Sequence, residues 1–249
     1  MSSNSRGLYS LLIPLNSLPL LFPLRQQLRE IHEVKIFLMF ELDHLVVAAR
    51  DLDEGTAFVQ SLLGVPLERG GKHTAMGTHN RLLSLGDGVY LEVITIDPDT
   101  PAPDRPRWFG LDNEEVQVRL ERGPTLLHWV ARAKGISLQN ADLSKDIFGH
   151  VTPMQRGDLS WLITVPNDGH LPGGGVLPTL IGWGDAPHPT TKLSERNLKL
   201  LKLRATHPEP QRVAGVLETL GLAGVLELDQ GEVGLEAEIA LQERVAVLQ

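Results

Sequence analysis

The stretch GKHTAMGTHNRLLSLGDGVYLEVITI, residues 71–96, holds His73, His79 and Glu92 within twenty residues. Two imidazoles and a carboxylate at that density support two kinds of chemistry: they can ligate a divalent metal, or exchange a proton with a bound molecule. Two further histidines, His44 in LDHLVVAA and His128 in LLHWVARA, occupy the same place in strands that open separate blocks of the chain. There is no cysteine, so disulfides, thiol nucleophiles, zinc ribbons and iron–sulfur clusters are excluded. Any metal site must be built from His, Asp and Glu.

These side chains can act together only if the elements carrying them share a face. ELDHLVVAAR (41–50) reads as a strand, and DLDEGTAFVQSLLGV (51–65) as a helix. Asp51 or Asp53 suits the N-cap, Gly64 the C-terminal stop, and Ala57, Phe58, Ser61 and Leu62 the core-facing stripe. NRLLSL (80–85), the turn GDG (86–88) and VYLEVITI (89–96) follow as antiparallel strands, with a weak extra strand near 66–70. That order is a βαβββ-like module. Strand side chains alternate between faces, and the face that packs the helix must be apolar. Leu45, Val47, Leu91 and Val93 take that face, which leaves His44 and Glu92 on the concave one. The same alternation puts His128 with Val130 and Arg132. His79, at a strand mouth after Gly77, is expected to join the cavity, with Asn80 as a substrate contact. His73 reads as a loop polar group.

DPDTPAPDRPR (97–107) holds four prolines and reads as a connector. In the RPRWFG that overlaps its end, Arg107 is a candidate for a substrate anion and Trp108 for an apolar wall. TLLHWVARA (125–133), SWLITV (160–165) and GVLPTLIGWG (175–184) read as strands, and residues 136–148 allow only a short helix. Residues 197–228 return to the order strand, Ala, turn, helix, Leu-Gly, and GLEAEIAL (234–241) parallels YLEVITI, the mark of an internal repeat. PGGGV (172–176) is a turn and not a phosphate loop, since no Gly-Lys-Ser/Thr follows. No G-x-S-x-G elbow supports a serine hydrolase. His188 and His207, each before a proline, read as turn residues.

LDHLVVAARDL, GTHNRLLSLGDGVYLEVI and RPRWFGLD together resemble the glyoxalase-like branch of the vicinal oxygen chelate superfamily, over roughly residues 41–190. The resemblance implies an α+β fold in which paired βαβββ-type modules form a cupped mixed sheet. The domain would span 40–249: a first module 41–97, a connector 98–124 and a second part 125–249. The resemblance also implies a divalent metal (Fe, Mn, Ni or Zn) held by His44, Glu92 and His128. Glu92 would be ligand or general base, with His79 assisting. The second module lacks its acid, because Thr179 or Gly182 stands there; a water, His79 or nothing would complete the shell. The implied activity is of lyase, isomerase or dioxygenase type on a small oxygenated substrate. The alternative is a metal-free small-molecule or drug-binding protein of the bleomycin-resistance type.

A net charge of −8 lacks the basic footprint of a nucleic-acid binder, and an anionic membrane surface would repel it. A cytoplasmic protein is the default expectation. Modules of this kind pair within one chain or between two, so a homodimer is among the expected arrangements. Residues 1–39 are expected to be an N-terminal extension, disordered or a misassigned start upstream of Met39; a targeting leader is the alternative.

Overall fold

The computed structural model describes residues 40–135 and 137–249, so the expectations for residues 1–39 lie outside the described residues. Strand β1 (Phe40–Ala48) leads into helix α1 (Leu52–Leu63). Asp51 is the N-cap, its carboxylate accepting the Glu54 N–H at 2.8 Å, and Gly64 ends the helix at a φ of 73°. The buried face of α1 is Gly55, Val59 and Leu63, whereas Ala57 and Ser61 of the expected stripe are exposed. Gly55 explains the rotation. A Cβ there would stand 2.6 Å from Val93 Cγ1 and 2.8 Å from Ala49 Cβ, so the helix approaches the sheet where only a hydrogen fits.

Strands β2 (Glu68–His73), β3 (Thr78–Ser84) and β4 (Tyr90–Ile96) complete the first module, with β4 parallel to β1. The connector contains α2 (Glu114–Glu121), where the sequence predicts only a linker. Val116 and Leu120, one turn apart, are its buried residues, and Glu114 and Glu115 suit its first turn. The second module has β5 (Thr125–Ala133), the four-residue helix α3 (Lys145–Phe148), β6 (His150–Arg156), β7 (Leu159–Val165) and β8 (Thr179–Gly182). Its last strand is again parallel to its first. Antiparallel pairing of β1 with β5 joins the modules within one chain into an eight-stranded sheet, ordered β2-β3-β4-β1-β5-β8-β7-β6. This is the α+β, paired-module cupped sheet that the sequence leads one to expect.

The C-terminal part comprises β9 (Lys199–His207), α4 (Pro210–Thr219), β10 (Glu227–Gln230), β11 (Gly234–Ala240) and β12 (Val245–Leu248), in a separate sheet ordered β10-β9-β11-β12. The element order repeats that of the first module, but the pairing does not. The helix after β9 returns directly to a parallel neighbour, β10, so β11 lies antiparallel to β9 where β4 lies parallel to β1.

The eight-stranded sheet carries a core on each face. On the convex face Leu45, Val47, Leu91, Val93 and Trp129 share one cluster with Val59 and Leu63 of α1 and with Leu203, Leu217, Ala237 and Ile239 of the C-terminal part. On the concave face Val46, Ile94, Val130 and Ile181 pack against Trp108, Phe109, Leu111 and Val116 of the connector. The outermost strands, β2 and β6, come into contact, so the sheet curls almost to closure. Among the described residues no helix is long and apolar enough to cross a membrane.

Candidate functional site

The site begins with an irregularity in β1. Leu42 stands opposite Ala131 and His44 opposite Val130, so Asp43 is one residue too many for the ladder, a β-bulge. The bulge resets the alternation: Leu42 and Leu45 both pack against the convex core, and His44 is delivered to the cup. It also lets Asp43 bond its own neighbour. Asp43 Oδ1 accepts from His44 Nδ1 at 2.6 Å, while Oδ2 accepts from Trp183 Nε1 at 2.9 Å and from His188 Nε2 at 3.0 Å. Burial pushes this fully buried carboxyl up, but the bonds from His188 and His44 outweigh it and hold the group well below the usual carboxylate range.

With Nδ1 tied to Asp43, His44 turns Nε2 toward Glu92, whose Oε2 lies 3.6 Å away. The imidazole stacks on Tyr90, with centroids 4.4 Å apart. Glu92 is held from behind, its Oε1 accepting Asn80 Nδ2 at 2.5 Å. Asn80 is in turn fixed by the Gly71 N–H on its Oδ1 at 2.7 Å. A Cβ on Gly70 would lie 1.9 Å from that same oxygen, so glycine there is what leaves room for the amide. Burial pulls the His44 imidazole down, yet Asp43 and Glu92 lift it to about 9. Burial raises Glu92, but the nearby His44, with His73 and the Asn80 bond, brings it to about 2. At neutral pH the pair is an imidazolium facing a carboxylate.

Around this pair Tyr90, Trp108, Phe109, Trp161 and Trp183 wall the cup. His73, which reads in sequence as a loop group, is buried within it. Its Nδ1 bonds Thr78 Oγ1 at 3.1 Å, and its Nε2 accepts from Arg156 Nη1 at 3.2 Å. Burial, opposed by Glu92 and assisted by Arg156, lowers His73 to about 4 and keeps it neutral. Arg156 also donates to Asn80 Oδ1 at 3.4 Å.

Of the candidate residues, His44, Glu92, Asn80 and Trp108 meet in the cup, and three do not join them. His79 follows the alternation of β3 to the face opposite Asn80, where it lies 3.9 Å from Asp97 Oδ1 in an outer groove with Arg81 and Lys72. Arg107 turns to Asp112, at 2.5 Å from Nη1 to Oδ1. His128 has both nitrogens engaged: Nδ1 with the Gly175 carbonyl at 3.0 Å, and Nε2 with the Thr179 hydroxyl at 2.9 Å and N–H at 3.0 Å. Burial, against the Gly175 bond, lowers it to about 3. Phe109, held at a φ of 58°, packs its ring on this imidazole and separates it from the cup.

The donors that face one another are therefore His44 and Glu92. An open chelate site needs about three protein ligands, and the third, His128, is spent on β8 and its preceding turn. Among the described residues no three His, Cys, Asp or Glu side chains could together hold a metal ion. The set His44, Glu92 and His128 does not fit a divalent metal in this arrangement. The functional candidates that escaped the sequence reading are Asp43, Arg156, Trp161 and Trp183, together with His73 and His188, which it read as a loop and a turn residue.

Residues 42–221 match the model of a family described as "Glyoxalase-like domain". No curated protein matches the chain. Among solved structures, a hypothetical protein from Staphylococcus aureus is similar at 13% identity over 84% of each chain, with a TM-score of 0.50, a likeness of fold. Methylmalonyl-CoA epimerase from Mycobacterium tuberculosis is 20% identical over 57% of this chain and 87% of that one, with a TM-score of 0.37. A variant of the Streptomyces coelicolor methylmalonyl-CoA epimerase in complex with 2-nitronate-propionyl-CoA is 18% identical over 61% of this chain and 99% of that one, at 0.38.

Proposed function

Because the chain belongs to the glyoxalase-like domain family, within the vicinal oxygen chelate superfamily, we propose that it is an enzyme of isomerase or lyase type that moves a proton on a small oxygenated substrate. The chemistry rests on His44 and Glu92 rather than on a metal. A bound Fe, Mn, Ni or Zn ion would act as Lewis acid, but it would need His128, whose two nitrogens serve Gly175 and Thr179. The observation that carries this reading is the geometry of the buried pair: His44 Nε2 faces Glu92 Oε2 at 3.6 Å while Asp43 holds the other ring nitrogen at 2.6 Å.

Two such groups can address adjacent atoms of an enolisable substrate. Glu92 accepts the proton from the carbon next to a carbonyl, while the His44 Nε2–H bonds the carbonyl oxygen and stabilises the charge that develops there. Asp43 keeps the imidazole protonated and, with the Tyr90 stack, oriented. Asn80 fixes Glu92. A substrate that enters between the pair weakens their mutual attraction, which raises Glu92 from its depressed value toward that of a useful base. Glu92 then returns a proton to the substrate, and any exchange of that proton with solvent in the interval labels the carbon in D2O.

The test is hydrogen–deuterium exchange at the α-carbon of small carbonyl compounds, followed by NMR in D2O with a chelator present. Glu92→Gln and His44→Gln are each expected to slow exchange by about 10²–10⁴-fold. Exchange indifferent to Glu92→Gln, or stopped by the chelator and restored by a divalent ion, would sink the proposal. The second reading, a metal-free binding protein, draws on the aromatic walls. There Glu92→Gln would leave a captured ligand with only a modest loss of affinity, and wild-type protein would catalyse no exchange.

A further inference from the structure

We infer that the cup recognises a carboxylate on its ligand, received by the Arg156 guanidinium with the Trp108 indole N–H as a second donor. This deepens the proposed proton transfer by naming the class of substrate, a small acid oxygenated next to its carboxylate.

Arg156 ends β6 at one margin of the sheet and reaches over the seam to β2 at the other. Its stem lies over β2, so that a Cβ on Gly71 would meet Arg156 Cδ at 2.7 Å. Its guanidinium bonds only neutral groups, His73 Nε2 and Asn80 Oδ1. Arg107 and Arg132 each pair with a carboxylate, Asp112 and Glu41, but among the described residues no carboxylate lies within ion-pair distance of Arg156. A part-buried cation that bonds neutral acceptors alone is incompletely compensated, and its planar fork matches a carboxylate.

A second observation is independent of the first. Trp108 is 3% exposed and lines the same cup, yet its Nε1 is buried with no hydrogen-bond partner. Buried N–H groups seldom go unpaired unless a ligand or water serves them. Arg156 and Glu92 contact opposite ends of one amide, that of Asn80. A carboxylate on Arg156 therefore brings the next carbons of the ligand to Glu92 and His44, where a 2-oxo or 2-hydroxy group would meet the His44 ring.

The test compares pyruvate with hydroxyacetone, a neutral molecule of similar size, by isothermal titration calorimetry. Wild-type protein is expected to bind pyruvate more tightly. Arg156→Gln should weaken pyruvate by about tenfold or more and leave hydroxyacetone unchanged. Trp108→Phe, which keeps the wall and removes the donor, should weaken pyruvate alone. Pyruvate bound no better than hydroxyacetone, or both weakened alike by Arg156→Gln, would overturn the inference. Arg156-dependent binding together with exchange indifferent to Glu92 would uphold the carboxylate site and reject the proton-transfer reading.

Discussion

His44 carries its proton at neutral pH because two carboxylates flank it, and this has consequences of opposite sign at the two ends of the pH scale. Its folded value of about 9 is above the ordinary 6.5, so its stabilising effect is complete below 6.5 and lost as pH rises through 9. Glu92, at about 2 against 4.5, contributes fully above 4.5 and loses its effect as pH falls through 2. The pair thus supports the fold fully between 4.5 and 6.5. Thermal melts should show wild-type protein losing stability from pH 6.5 to 9, relative to His44→Gln, on the order of a few kcal/mol. Asp43→Asn should return His44 toward 6.5, and the alkaline limb of the pH–rate profile should fall from near 9 accordingly. Strand alternation was enough to bring His44 and Glu92 together on paper. It could not bring in Asp43, because consecutive strand residues point to opposite faces unless a bulge intervenes, and no glycine or proline in LDHLVV marks one. The same alternation forbids His79 and Asn80 from facing the cup together; Asn80 does, and the parity with Leu82 was there to be read.

At the scale of elements, the two modules divide their labour. The first half keeps the polar pair His44 and Glu92 facing the cup, while the corresponding half closes through His128, Thr179 and Gly175. His128→Ala should cost about 2–4 kcal/mol in chemical denaturation, since it strands buried partners, yet leave exchange per folded molecule nearly unchanged. Gly70→Ala should do the reverse: the added methyl displaces Asn80, so the rate falls by roughly tenfold or more with a smaller loss of stability, compared by parallel kinetics and melts. The elements with strong periodic signals, β1, β4 and β5, were legible almost to the residue. β6 was not, since HVTPMQR contains Pro153 and buries only Met154 fully, leaving no alternation to detect. Arg156 was lost with it. The repeat in element order was real, but order along the chain does not dictate which strand a returning helix delivers its successor beside.

At the scale of the whole molecule, the C-terminal sheet joins the convex-face core to which Leu45, Val47 and Leu91 belong, in a chain whose second module has only a four-residue helix of its own. Removal of residues 199–249 should uncover several side chains, each worth about 1.5–3 kcal/mol when buried. Such a truncation is expected to aggregate or to lose its cooperative thermal transition, as scanning calorimetry would show. The distribution of indoles between the two faces has a practical corollary. Three of the four tryptophans, Trp108, Trp161 and Trp183, wall the cup, and the fourth, Trp129, is in the opposite core with its Nε1 bonded to the Val176 carbonyl at 2.8 Å. The protein is thereby its own optical sensor: emission from three indoles changes with whatever enters the cup, and Trp129 supplies a steady background against which occupancy can be followed without a label.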